Sequence, residues 1–322
     1  MTAIEVHDLR RTYRSRTRLL AGGVTSVEAL RGLDFEVQRG ELFGLLGPNG
    51  AGKTTTIKIL TTLLLPTSGT ARVLGLDPAT EHRQLRRRIG YVFGGDKGLY
   101  ERISALENLR YFADVYRVPA RAKNARISEL LEVVGLRGRE RERVETYSRG
   151  MRQRLHIARG LLHDPEILFL DEPTIGLDPI GARELRETVA SLQQAGKTIL
   201  LTTHYMLEAD ELCDRVAIIN GGRIVAEGTP ADLKRGLSES TVIEIEAFGV
   251  PEESIERLRG VEGVESVNVE VADQTQVIVV RSTAGPTLIP QLLAALDDPS
   301  LARVVAREPT LEDAYVRFVS ST

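Results

Sequence analysis

The chain is nearly without cysteine: Cys213 is the only one among 322 residues. No internal disulfide can form, and such usage fits a reducing compartment. Its setting, ELCDRVAII, reads as a small residue buried among apolar neighbours. Long apolar runs are missing as well. No stretch approaches the roughly 20 uncharged residues that a membrane-spanning helix needs. The opening residues MTAIEVHDLRRTY hold no apolar signal-peptide region. Any role at a membrane would therefore have to be borrowed from a partner. The net charge of −3 offers no overall attraction to a polyanion, so no nucleic-acid partner is expected. Internal repeats and low-complexity tracts are absent. What remains is ordinary for a globular chain: 42% hydrophobic and 27% charged residues can bury a core, and the length suits two domains.

The first half alternates short apolar runs with helical patterns, the signature of an α/β core whose strands are covered on both faces. ELFGLLG (41–47), ILFLDEP (167–173) and KTILLTTH (197–204) are the buried-strand candidates, and KTTTIKILTTLLL (53–65) reads as a helix. VAIINGGRIVAEG (216–228) is expected to be a hairpin turning at Gly221-Gly222. Between residues 99 and 163 the pattern is amphipathic helix, so a helical insert divides the α/β core. After the polar linker GLSES (236–240) the order β-α-β-β-α-β-α predicts a small α+β domain over residues 237–322.

GPNGAGKTT matches the phosphate-loop pattern G-x-x-x-x-G-K-[ST], after an apolar strand and before a helix. In this loop of Gly47, Pro48, Asn49, Gly50, Ala51 and Gly52 the glycines let backbone N–H groups close around phosphates with no Cβ in the way, and the helix starting at Lys53 points its positive end at them. Lys53 adds a point charge, Thr54 offers a hydroxyl to Mg²⁺, and Thr55 completes the loop. ILFLDEPT places Asp171 and Glu172 at the end of a buried strand, where adjacent acids are costly unless paired or metal-bound. Asp171 suits the metal's shell, and Glu172 can orient or deprotonate an attacking water. His204 also ends a strand, where ligands of α/β sheets collect, and it can hold a γ-phosphate and a carboxylate in register. His7, His82, His156 and His163 read as structural. In YSRGMRQRL, Ser148 is an N-cap candidate; its hydroxyl, the Gly150 N–H and the helix dipole could also grip a γ-phosphate.

Taken in order, GPNGAGKTT, YSRGMRQ, ILFLDE, GLDP and TTH resemble the Walker A loop, signature, Walker B strand, D-loop and switch-histidine segment of the ABC transporter nucleotide-binding domain. The resemblance covers roughly residues 3–232, within a domain assigned to residues 1–236. It implies a RecA-like P-loop NTPase core, a helical subdomain at about 99–163, and ATP with Mg²⁺ clamped in a head-to-tail dimer. Thr54 and Asp171 would hold the metal, with Glu172 and His204 catalytic. ATP on one subunit's Walker A would be sealed by the partner's Ser148 and Gly150. It adds Asp178 to the nucleotide-contacting residues and gives Tyr13 the place of an adenine-stacking aromatic. Separate transmembrane permease subunits and a peripheral position on the cytoplasmic face of the membrane are further implications.

Two features depart from the family. Where it carries a glutamine after a strand like IGYVF, this chain has Gly94 and Gly95, which implies slower hydrolysis or replacement of the glutamine by Asp96 through water. RSRTRLLAGGVTS (14–26) is a longer turn than usual, and five arginines lie between residues 10 and 18; it reads as a solvated loop. The closing REPTLEDAYVRF resembles the accessory-domain ending of daunorubicin-resistance-type exporter ATPases, which implies export of drugs, lipids or polysaccharide. Two alternatives stay open: a soluble ABC ATPase acting away from any transporter, and a slow or non-catalytic nucleotide-binding regulator.

Overall fold

The computed structural model describes residues 1–16, 24–94, 98–235, 241–272, 275–296 and 300–320. They form two compact units, Met1–Pro230 and Ala231–Ser321. The linker expected at 236–240, and with it the boundary at residue 236, lies outside the described residues.

The strands of the first unit are β1 (Thr2–Arg16), β2 (Val24–Gln38), β3 (Leu42–Leu46), β4 (Ser68–Val73), β5 (Ile89–Phe93), β6 (Ile167–Asp171), β7 (Thr198–Thr203), β8 (Arg215–Asn220) and β9 (Arg223–Gly228). Its helices are α1 (Lys53–Leu60), α2 (His82–Leu85), α3 (Ala105–Val115), α4 (Ala120–Val133), α5 (Arg149–Leu161), α6 (Pro179–Gln194) and α7 (Met206–Leu212). A six-stranded sheet runs β5-β6-β7-β3-β8-β9, parallel except for β9. Every residue of β3, β6 and β7 is buried, which is why they read as unbroken apolar runs. β8 and β9 form the expected hairpin, with both turn glycines at positive φ (52° and 80°) as a two-residue primed turn requires.

A second, antiparallel sheet of order β2-β1-β4 shares its core with the first. Phe35 of β2 stacks on Phe43 of β3 with ring centroids 5.5 Å apart. Two sequence expectations are corrected here. The region 14–26 is not simply a long turn: Arg14 pairs with Ser26 and Arg16 with Val24, so β1 and β2 stay paired as far as those residues, and 17–23 lie outside the described residues. The helix expected to reach Leu65 stops at Leu60. The Thr61 hydroxyl bonds the Ile57 carbonyl, Thr62 turns to φ 68°, and the Leu63 and Leu64 amides fold back on Lys58 O, the pattern of a left-handed C-terminal cap.

Helices α3, α4 and α5 form the insert. Ser104 and Glu107 close a reciprocal capping box at the start of α3. Buried Leu109, Leu130 and Leu155 supply its interior.

The second unit contains α8 (Pro230–Arg235, its first residue shared with the other unit), β10 (Thr241–Phe248), α9 (Glu252–Arg259), β11 (Val264–Ala272), β12 (Thr275–Ser282), α10 (Ile289–Ala295), β13 (Ser300–Arg307) and α11 (Leu311–Ser320). Its antiparallel sheet has order β11-β12-β10-β13, the ferredoxin-like split βαβ arrangement. Ile243, Ile245 and Ile278 face Ile255, Leu258 and Leu292 in its core. The closing segment has a local physical logic. Asp313 accepts from the Thr310 N–H (2.7 Å), the Thr310 hydroxyl (2.8 Å) and Arg307 (2.5 Å), so T-L-E-D caps α11 and ties it to β13.

Candidate functional site

The phosphate loop leaves the C-terminal end of β3 and enters α1 at Lys53. Gly52 sits at φ 116°, and a Cβ there would lie 2.6 Å from Leu30 Cδ2 and 2.8 Å from Ala29 O, so β2 presses directly on the loop. Only glycine meets both demands. Lys53 is 4% exposed; its Nζ donates to Gly47 O (2.7 Å) and Pro48 O (3.2 Å) and lies 3.3 Å from Glu172 Oε1. Asn49, Gly50 and Thr54 are exposed, Pro48 and Thr55 half-buried, and Ala51 buried. Tyr13 stands on β1, whose residue Arg11 pairs with the same Leu30 that meets Gly52. Its ring is 39% exposed, and the Arg11 guanidinium lies over it at 4.8 Å, a cation–π contact on the aromatic face.

The acids stand where β6 ends. Asp171 is buried and accepts from Thr54 (Oγ1 to Oδ1, 3.2 Å) and Thr202 (Oγ1 to Oδ1, 2.6 Å); the Tyr91 hydroxyl reaches Oδ2 at 3.4 Å. Burial first, then the charge and hydrogen bond of Asp171, raise the Tyr91 pKa, so this phenol stays a donor. Glu172 follows at φ 49°, a left-handed conformation uncommon for a non-glycine residue and of the kind that concentrates at functional sites. Its amide bonds Thr202 O at 2.9 Å, which holds the turn. His204 Nδ1 lies 3.1 Å from Glu172 Oε2, at ion-pair distance but without the alignment of a hydrogen bond. Lys53, Thr54, Asp171, Glu172 and His204 thus meet in one place.

The signature does not join them. Ser148 is exposed at the start of α5, and its hydroxyl accepts from the Met151 N–H at 3.2 Å. Among the described residues no hydrogen bond or ion pair links Ser148 or Gly150 to Lys53, Asp171 or Glu172. Gly150 instead packs on Gly181 of α6; a Cβ on it would stand 3.4 Å from Gly181 Cα. Exposed Asp178 precedes α6 without capping it by its side chain.

Position 94 has no room for a side chain. The Gly94 N–H donates to Asp171 O at 2.7 Å, and a Cβ would lie 2.4 Å from Glu172 O and 2.9 Å from Ile175 Cγ2. A glutamine is therefore excluded there by backbone, while Gly95 and Asp96 lie outside the described residues. Of the histidines given structural readings, His156 is fully buried and His163 binds Ile89 O at 2.8 Å. Tyr91 and Thr202 were not singled out by sequence. Their only signal was membership of strands flanking β6, since the register puts Phe93 and Thr202 on either side of Asp171.

The donors at Asp171 suit magnesium, a hard ion that takes one or two carboxylates or hydroxyls and fills its shell with phosphate and water. No cluster of three or more His, Cys, Asp or Glu among the described residues forms a cage for a tighter metal. No helix among them is long and apolar enough to cross a membrane.

Residues 30–175 match the protein family described as ABC transporter. A linearmycin resistance ATP-binding protein of Bacillus subtilis is 35% identical over 295 residues, 91% of this chain and 94% of that protein. A daunorubicin resistance ATP-binding protein of Streptomyces coeruleorubidus is 47% identical over 207 residues; the match spans 64% of this chain and 65% of that relative. Among solved structures, a dimeric ATP-binding cassette in a post-hydrolysis state with ADP and Pi superposes with TM-score 0.61 at 26% identity, covering 70% of this chain and 98% of its own. Coverage of nearly the whole Bacillus relative, on a parallel sheet with its P-loop and paired acids in place, makes this chain a member of the ABC transporter ATP-binding proteins, the ATP-hydrolysing subunits of that family.

Proposed function

We propose that two copies of this chain bind Mg-ATP head to tail and that hydrolysis drives export through separate membrane-spanning subunits at the cytoplasmic face. The observation that carries this reading is the split of the site. Lys53, Thr54, Asp171, Glu172 and His204 converge, while Ser148 and Gly150 stay exposed or packed elsewhere, as a lid serving another subunit would be. Lys53 and the amides of Gly47–Thr55 neutralise phosphate charge, with Asp178 and Tyr13 as further nucleotide contacts. Thr54 and Asp171 hold magnesium, which when bound supplies charge at the phosphates. Glu172 orients the attacking water, and His204 fixes Glu172 against the γ-phosphate. Positioning and electrostatics suffice, because phosphoryl transfer asks little covalent chemistry of the protein. Drug-resistance relatives and the Thr310–Asp313 ending favour export of drugs, lipids or polysaccharide.

The surface for the membrane subunit is read at the groove around Gly94–Leu109. Aromatic contacts run from Tyr100 through Tyr111 and Phe112 to Tyr116. Tyr116 lines an adjoining cleft of about 1080 Å³ edged by Arg83, Arg86, Arg87, Arg117 and Arg126. Apolar depth with a basic rim favours a short apolar segment bearing acids.

A mixing experiment tests the dimer. Ser148→Arg damages only the lid and Lys53→Met only the loop, so each homodimer should fail. Their heterodimer keeps one intact site, and an equal mixture should recover up to about a quarter of wild-type phosphate release. A mixture as inactive as its parts would refute the shared site.

A further inference from the structure

We propose that Glu208 is a positioning residue for hydrolysis, one buried carboxyl that ties the segment after Glu172 to the strand end carrying His204. Glu208 lies in α7, is 2% exposed, and has no place in the mechanism above. Thr174 Oγ1 donates to its Oε2 at 3.2 Å. Glu208 stands four residues after His204, on the helix that the His204 segment leads into, and the Thr203 hydroxyl acts to lower its pKa while accepting from the Tyr205 N–H at 3.0 Å. Thr174 is two residues beyond Glu172, and Thr203 immediately precedes His204. A single side chain therefore bridges the two chain segments whose ends must keep Glu172 and His204 3.1 Å apart. Both threonines are themselves buried, at 6% and 1% exposure, so no solvent replaces the bridge if it is removed.

The charges around Glu208 agree with this placement. Burial raises its pKa, the Thr203 and Thr174 hydroxyls and Arg186 act in the opposite sense, and Glu172 raises it further. Arg186 is itself engaged with Glu211 at 2.7 Å, so it does not pair Glu208 directly. The arrangement is that of a supporting shell: residues that touch no substrate but lock the geometry of those that do. It rests on Glu172 and His204 being the reacting pair.

The test uses the full chain with Glu208→Ala, Glu208→Gln and Thr174→Val, singly and with Glu208→Ala combined with Thr174→Val. Phosphate release gives kcat and KM, binding of ADP gives nucleotide affinity, and thermal melting reports folding. Glu208→Ala should lower kcat about tenfold or more, with KM and ADP affinity within about twofold. Glu208→Gln keeps an acceptor oxygen and should restore most of the rate. The double variant should be no slower than Glu208→Ala alone, because the same bond is already gone. A folded Glu208→Ala protein with kcat within about twofold of wild type overturns the proposal. So does a rate loss that merely follows lost ADP binding or a lower melting temperature, or additive losses in the double variant. Glu172→Gln separates the two levels: if it still hydrolyses ATP, the reading of the reacting pair fails, whereas an inactive Glu172→Gln beside an unaffected Glu208→Ala removes only the bridge.

Discussion

Giving residue 94 a side chain should slow hydrolysis without weakening nucleotide binding. The Cβ of Gly94→Ala would stand 2.4 Å from Glu172 O, 2.9 Å from Ile175 Cγ2 and 3.2 Å from Asp171 O, whereas ordinary contacts begin at 3.4 Å. Two of the three neighbours are backbone and cannot swing aside. Relief thus asks for a shift of about 1 Å between β5 and the Asp171–Glu172 turn. Forced overpacking of this kind costs about 1–3 kcal/mol, or roughly 2–12 °C in melting temperature for a unit of this size. The same shift moves the carboxylate, and misplacement by about 1 Å can cost about a hundredfold in rate. Gly94→Ala should therefore lower kcat by about ten- to hundredfold, with ATP affinity within about twofold because Gly47–Thr55 is untouched. Gly94→Gln, which restores the residue the family places nearby, should be no better. The assay is phosphate release beside nucleotide binding and thermal melting. Variants with unchanged kcat and melting temperature would show that the contact does not constrain the turn.

Two further outcomes follow from buried charges. Burial, helped by Arg159, lowers the His156 pKa to about 3, well below its unfolded value of about 6.5. The unfolded chain therefore binds the extra proton first: stability is full above about pH 6.5 and falls as pH drops towards 3, by about 1.4 kcal/mol per pH unit from this residue. Denaturant titrations from pH 6 to 4 should show a slope shallower by about one proton in His156→Met, and equal slopes would remove the argument. In the second unit, Asp313→Ala removes the acceptors of Arg307 and Thr310 and should cost about 2 kcal/mol, seen as faster hydrogen exchange across β13 and α11. Unchanged exchange there would show that the clamp is not what holds α11.

What the sequence made legible was chemistry written in contiguous residues. Gly47–Thr55 must be glycine-rich, basic and hydroxylated within a few positions, so its pattern survives without a structure. The buried parallel strands were equally readable, because β3, β6 and β7 are covered on both faces. The antiparallel sheet was not. In β1 the alternation of Ile4 and Val6 breaks before Leu9, where the register shifts and Asp8 turns to φ 43°, so no clean strand period appears. The closure of position 94 was hidden for a different reason. It depends on a backbone atom of residue 172, and only the β5–β6 pairing brings the two together. Tyr91 and Thr202 share that cause: each reaches Asp171 across a strand boundary, and nothing local in IGYVF or TILLTT marks them.

The geometry of Glu172 also explains how the proposed site waits for its substrate. Its two oxygens have different neighbours, the Lys53 ammonium 3.3 Å from Oε1 and the His204 ring, with Nδ1 3.1 Å from Oε2. Lys53 is nearly excluded from water and is held by loop carbonyls besides Glu172, so its charge must always have a partner. A phosphate entering the loop can take over that partnership, and in doing so it releases Oε1 to face the attacking water. Glu172 Oε2 would still lie beside the His204 ring while Oε1 is open to the attacking water. Under the proposed function, that exchange would need a phosphate to replace the carboxylate at Lys53, so the base would be freed by the substrate it acts on. Asp171 undergoes no such exchange: Thr202 holds it from β7 whether or not Thr54 turns to the metal. Under the proposed function, one acid would be fixed by its own sheet and the other by the ligand, so that adjacent carboxylates at one strand end would divide metal holding from water activation.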